Sequence, residues 1–237
     1  MMNLVLRARL GSPFSQLWRW QRVVALLLCL VATTAAAGGD NWRLEKNSDG
    51  VEVYTRTVVD SPYRAFRGVA VIPGELNQVM AVLDDSDNFA NWMHNCDTAL
   101  LLEKRSLLDR FQYLQLDFPW PATDREMILR NEISQDISTR VVTIALSLAQ
   151  AEELSAEAQN KVPPRDGRQP VAAASGHYIL TPLSDSETRV EYQMALDPGG
   201  ALPASLVNSQ MIDNPYQTLR ALRTEVQRPR YRHFNPF

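Results

Sequence analysis

The 237-residue chain has only two cysteines, three histidines and ten glycines. Two cysteines cannot build a disulfide framework or a zinc ribbon. His94, His177 and His233 stand far apart, and none has a metal-ligating partner at helical spacing. There is no phosphate-cradling glycine loop and no Gly-x-Ser-x-Gly nucleophile elbow. Basic charge is not in excess either. Against 24 Lys and Arg stand 27 Asp and Glu, for a formal net charge of −3 at pH 7. Nucleic acid is therefore not an expected partner. The longest apolar run, Val23 to Ala32, falls short of the roughly 20 residues that span a bilayer. With 45% hydrophobic and 22% charged residues, the composition is that of a globular protein and not a disordered chain.

What charge there is lies unevenly. Residues 1–37 contain Arg7, Arg9, Arg19 and Arg22 and no acid. Arg19 and Arg22 precede the apolar run, and Ala35-Ala36-Ala37 follows it. Basic, then apolar, then small is the order of a secretory signal. The reading is a signal peptide over 1–37, one domain over 38–228, and a basic tail over 229–237 that frays. The expected location is the periplasm, with an uncleaved inner-membrane anchor as the alternative. Leu28 stands before Cys29 where a lipoprotein signal needs a small residue. Cleavage leaves Cys96 as the one thiol, read as a small buried hydrophobe. No cation flanks it, and Asp97 works against a thiolate.

The mature chain reads as strands first. Trp42 to Lys46 and Val51 to Arg56 flank the turn Asn47-Ser48-Asp49-Gly50. Tyr63 to Ile72 is a third strand, closed by Pro73-Gly74. Glu75 to Leu83 has helical spacing, with Leu76, Val79, Met80 and Leu83 on one side. Six strand candidates follow: Thr98 to Glu103, Leu108 to Phe118, Glu126 to Ser134, Thr139 to Leu148, Gly176 to Leu183 and Thr188 to Leu196. Val142, Ile144, Leu146 and Leu148 share a face in one, and Val190, Tyr192, Met194 and Leu196 in another. Consecutive strands without helices between them imply an antiparallel meander. The polar stretch from Gln150 to Pro170 is expected to be an exposed loop with a short helix. A long helix from Leu202 to about Gln227 ends the domain. Pro203 suits its first turn, and Pro215 inside it is expected to kink or interrupt it.

Candidate chemistry is sparse. The acidic run Asp84-Asp85-Ser86-Asp87-Asn88 fails as a calcium loop. Counted from Asp85, Ala90 and Cys96 stand where Gly and Glu are required. Asp124 and Arg125 are read as a structural pair rather than an acid–base pair. No catalytic residue, metal or cofactor is expected.

Particular stretches carry a resemblance. They are Asn47-Ser48-Asp49-Gly50-Val51-Glu52-Val53-Tyr54, Pro119-Trp120-Pro121 with Asp124-Arg125, and Tyr192-Gln193 leading to Asp197-Pro198-Gly199-Gly200. Pro203 with Leu206-Val207-Asn208, and Asn214-Pro215-Tyr216-Gln217-Thr218-Leu219, complete the set. In this order, from Trp42 to Arg223, the chain resembles bacterial StAR-related lipid-transfer (START) domains. One departure stands out. Many relatives carry a Val-Arg pair shortly before the glycine of the penultimate strand, where this chain has Gln169-Pro170-Val171-Ala172-Ala173-Ala174-Ser175.

The resemblance implies an α+β helix-grip fold, a curved antiparallel sheet wrapped around the long C-terminal helix. It also implies a lipid or other hydrophobic ligand in an internal tunnel, with that helix as lid, and brief contact with a membrane. The expected ligand-binding residues are Tyr113, Met127, Leu129, Asn131, Tyr178, Tyr192 and Met194 on strands, and Met211 on the helix. The same alternation also describes a packed core. Asn131 is the informative member, because a buried amide needs a partner. Pro215 and Gly199-Gly200 are expected to loosen Asn208 to Met211 and the approach to the helix, so that it can tilt. Two alternatives stand beside this: an envelope scaffold with a collapsed tunnel, and a hydrolase or cyclase on the same broad fold.

Overall fold

The computed structural model describes residues 41–232. The expected signal segment, with Cys29, lies outside the described residues, as do His233 and the rest of the tail beyond it.

Strands β1 (Arg43–Ser48), β2 (Val51–Thr57) and β3 (Arg64–Ile72) open the domain. Helix α1 (Leu76–Asp84) and a 3-10 turn (Ser86–Asn91) follow, then β4 (Cys96–Lys104), β5 (Asp109–Leu116), β6 (Arg125–Gln135) and β7 (Val142–Ala149). A one-turn helix α2 (Ala156–Gln159) and the two-residue β8 (Gln169–Pro170) lead to β9 (Ala173–Pro182) and β10 (Thr188–Asp197). Helix α3 (Ala204–Glu225) closes the chain. The sheet order is β1-β2-β3-β10-β9-β7-β6-β5-β4, antiparallel throughout, with β8 joined parallel to β6. This curved sheet with a long C-terminal helix is the helix-grip fold.

Local chemistry accounts for the element ends. Asp49 and Gly50 both take positive φ, so Ser48 pairs with Val51 across a two-residue hairpin, and β1 runs two residues further than expected. Glu75 caps α1, and its backbone N–H donates to the Gln78 side chain at 3.1 Å, half of a capping box. The alternation expected for β7 and β10 holds: Val142, Ile144 and Leu146, and Val190, Tyr192, Met194 and Leu196, are buried on the concave face.

Helix α3 packs against β2 and β3. It comes close enough that a Cβ at Gly68 would lie 2.8 Å from Leu219 and 3.0 Å from Pro215. Pro215 does not interrupt α3, which is continuous from Ala204 to Glu225. Its ring sits on the bare backbone of Gly68 instead, so sheet packing offsets the lost helical hydrogen bond. The helix is also tied to the first hairpin. Tyr216 donates to Asp49 Oδ2 at 2.6 Å, and Arg223 donates to the Gly50 and Asp49 carbonyls.

Three further expectations need correction. First, the approach to α3 is not loose. The buried Arg125 donates from Nε to the Pro198 carbonyl at 2.9 Å and from its fork to the Gly199 and Thr123 carbonyls. The Asp197 carboxylate accepts from Gly199 N–H. Arg125 and Asp124 therefore act on backbone rather than on each other, since Asp124 accepts from Phe118 N–H and from Gln115. Second, the 150–170 segment is not merely an exposed loop. Leu154 and Ala158 cover Leu102, Phe111, Tyr113 and Ile128, forming a second small core on the convex face. Third, the start of the tail does not fray. Tyr231 is 4% exposed, and Glu225 accepts from Arg228, Arg230, Asn88 and Tyr231. Burial alone would raise the Glu225 pKa, but these hydrogen bonds outweigh it and hold the carboxyl below its usual range.

Two variants test this packing by urea unfolding. Gly68→Val should cost about 1–3 kcal/mol by overpacking against Pro215. Arg125→Met should cost about 3 kcal/mol, because three backbone carbonyls lose a charged donor. A midpoint unchanged from wild type in either case would show that the contact carries no stability.

Candidate functional site

Between the concave face of the sheet and α3 lies a narrow cavity of about 70 Å³. Strand β5 contributes Arg110, Gln112, Leu114 and Leu116, and β6 contributes Met127, Leu129 and Asn131. Ile144, Leu146, Tyr178, Tyr192, Met194 and Leu196 continue the wall along β7, β9 and β10. Leu83 and Phe89 close one end, Met93, Asn95, Asp117 and Phe118 rim another side, and Gln210, Met211 and Asn214 of α3 form the cover.

Seven of the eight expected residues line this cavity: Met127, Leu129, Asn131, Tyr178, Tyr192, Met194 and Met211. Tyr113 does not. Tyr113 pairs with Ile128, so it shares the convex face with Phe111 and packs in the second core. There its hydroxyl donates to Glu126 at 3.0 Å, and burial first, then that carboxylate, pushes its pKa to about 12. Both faces of β5 are largely buried, with the aromatic pair Phe111 and Tyr113 outward and Leu114 and Leu116 inward. The face that reads as polar, with Arg110 and Gln112, is the one in the cavity. Its signal in the sequence was parity: Arg110 and Gln112 fall in step with Leu114 and Leu116.

The cavity has a polar end and an apolar end. Arg110, 3% exposed, directs its fork to the Asp84 carboxylate and the Leu83 carbonyl at the close of α1. Asp84 also accepts from Lys104 at 3.0 Å. Burial lowers the Arg110 pKa, and Asp84 opposes that fall. Gln112 accepts from Ser86 at 2.9 Å, and Asn131 is the cross-strand neighbour of Arg110. Along β5 and β6 away from this end the wall becomes Leu114, Leu116, Met127 and Phe118. In the middle, Tyr178 and Tyr192 stack at 4.2 Å, and Phe66 meets Tyr192 edge-on at 4.9 Å. Burial pushes both phenols up, Tyr192 to about 12, so they stay neutral.

At the rim, Asn95 donates to Gln210 Oε1 at 2.7 Å and Asn214 donates to the His94 carbonyl at 3.0 Å. A polar groove holding His94, Asp117, Pro119, Asp213 and Gln217 shares Asn95, Asp117 and Gln210 with the cavity. On the far flank, Asn208 accepts from Arg64 N–H at 2.8 Å. Asn208 and Gln210 are therefore each tied by an amide side chain, and Met211 between them and Pro215 is buried. Cys96 is buried, and burial with nearby Asp97 pushes its thiol to about 12, as befits a packing residue. Among the described residues no group of three His, Cys, Asp or Glu is placed to hold a metal ion.

The chain is 29% identical to an uncharacterised protein of Pseudomonas aeruginosa, over 87% of this chain and 97% of that one. A solved STAR-related lipid transfer protein fragment from Xanthomonas axonopodis is 28% identical, with a TM-score of 0.69, covering 80% of this chain and all (100%) of that one. Human StAR-related lipid transfer protein 5 shares the fold at 16% identity, with a TM-score of 0.65 over 89% of this chain and 96% of that one. The START domain profile matches residues 23–228, most of the sequence, and the chain is a member of the START domain family.

Proposed function

We propose that the protein binds a lipid or other hydrophobic small molecule in this cavity and carries it within the cell envelope without chemically changing it. The carrying observation is the cavity itself, an apolar space between the sheet and a helix that is held at its rim by a few amide hydrogen bonds. Family membership and the lipid-transfer relatives support the same reading. The narrowness of the cavity favours a second reading, an envelope scaffold whose tunnel stays closed. Organic extraction of natively purified protein followed by mass spectrometry separates the two. A stoichiometric hydrophobic molecule supports carriage, and an empty protein that takes up no lipid from vesicles supports the scaffold.

Helix α3 is the gate in this reading. The Asn95–Gln210 and Asn214–His94 hydrogen bonds are what must break for its cover residues to lift. A short crosslink between cysteines introduced as Asn95→Cys and Gln210→Cys should slow ligand release by at least about tenfold, since it holds shut what two hydrogen bonds hold now. Release as fast with the crosslink as without it would eliminate the gate.

Donor and acceptor are membranes, touched briefly. Trp120, 92% exposed, lies on the β5–β6 connection two residues from Phe118 at the rim, and an exposed indole suits the bilayer interface. Export follows from residues 1–37, whose basic, apolar and small segments fit a cleaved signal. N-terminal sequencing of the periplasmic protein should begin close to Gly38. An intact Met1 on a cytoplasmic protein would refute export.

A further inference from the structure

Three polar atoms on cavity-lining side chains make no hydrogen bond within geometric limits: the donors Asn131 Nδ2 and Arg110 Nε, and the Tyr178 hydroxyl, which can donate or accept and has the Tyr192 hydroxyl as its neighbour. Their residues are 2%, 3% and 6% exposed, so bulk solvent does not reach them. Arg110 and Asn131 stand directly opposite each other on β5 and β6. Such pairs hold their Cβ atoms about 4.5–5.5 Å apart, close enough for both to reach one oxygen. Asn131 is in turn opposite Leu146, and Tyr178 opposes Ile144 one row further along. The other polar groups around them are engaged: the Arg110 fork by Asp84 and Leu83, the Gln112 carbonyl by Ser86, and the Asn95 amide by Gln210. Apart from the Tyr178 oxygen, no buried side-chain acceptor of the lining is orphaned in the same way among the described residues.

Native proteins rarely leave buried donors unmade, and each such group needs a reason. All three can donate to the same thing, an acceptor oxygen. A hydroxyl would supply one, but at the cost of desolvating its own O–H as well, which could be placed only by giving up the Tyr178 oxygen as a donor to the ligand. A carboxylate would supply two, but the Arg110 charge is already matched by Asp84. We propose that the cavity selects a neutral amphiphile whose buried polar group is a carbonyl, a ketone or an ester, inserted carbonyl-first toward Asn131 and Arg110. The chain of such a molecule runs along Leu129, Met127 and Leu114 to the rim. This inference rests on the hydrophobic-ligand reading above and specifies its chemistry.

The test uses the full chain and four probes of one chain length: hexadecane, hexadecan-2-one, hexadecan-1-ol and hexadecanoate. Each competes with an environment-sensitive fluorophore for the cavity. The ketone should bind about tenfold tighter than the alkane and the alcohol, the equivalent of one good buried hydrogen bond. Its carbonyl stretch should move to lower frequency in the complex. Asn131→Leu should abolish the preference and return the stretch, while alkane affinity stays within about threefold. Tyr178→Phe keeps the ring stacked on Tyr192 and should reduce the preference in part, which covers the case of a poorly folding Asn131 variant. A ketone no tighter than the alkane or the alcohol, a preference that survives both substitutions, or hexadecanoate binding tightest would overturn the proposal. Binding of all probes equally would leave the hydrophobic-ligand reading standing without it. Binding of none, alkane included, would overturn that reading and this inference together.

Discussion

The seating of α3 on Gly68 sets the geometry of everything else. Because β3 presents bare backbone there, the helix settles with Pro215 and Leu219 against the sheet. Its height above β5, β6 and β10, and hence the depth of the cavity, follows from that contact. Both ends of the helix are then tied by charge. Arg125 grips the carbonyls of the entry loop, and Glu225 gathers Arg228, Arg230, Asn88 and Tyr231 at the exit. A side chain is missing where the helix must come close, and buried charge appears where loops must stay put.

Between those anchors the cover is held differently. Asn208, Gln210 and Asn214 are tied by one or two neutral hydrogen bonds apiece, each worth little net in exchange with water. Val207 and Met211 beneath them are apolar and buried. The helix is thus firm at its ends and across Gly68, and tied by exchangeable bonds where it roofs the cavity. That distribution matches a START domain whose ligand must enter without unfolding the sheet.

Much of this was legible in the chain. Alternation in β7 and β10 marked their buried faces, and Asp49-Gly50 marked the hairpin, because these patterns are local. Asn131 stood out because a polar residue interrupts an apolar row. Tyr113 shows where local reading stops. Alternation separates two faces of β5, but which face meets the cavity depends on the covering segment near Leu154 and Ala158, some forty residues away in sequence. Pro215 is similar: its cost is visible in α3, and its compensation lies in Gly68 on another element. The Arg125 role was invisible for the same reason, since its partners are backbone carbonyls of a distant loop.

Strand β5 divides its labour between neighbouring positions. Phe111 and Tyr113 are sealed in the convex-face core, while Arg110, Gln112 and Leu114 face the ligand space. The outward residues only fasten the strand, whereas Arg110 and Gln112 both face the cavity and tie the strand to Asp84, Leu83 and Ser86, which leaves Leu114 as the buried inward position free of such ties. Variation at positions such as Leu114 can redraw the inner surface while Phe111 and Tyr113 keep the outer core closed. A family built this way can reshape its cavity at a few apolar positions without disturbing the packing that holds the sheet.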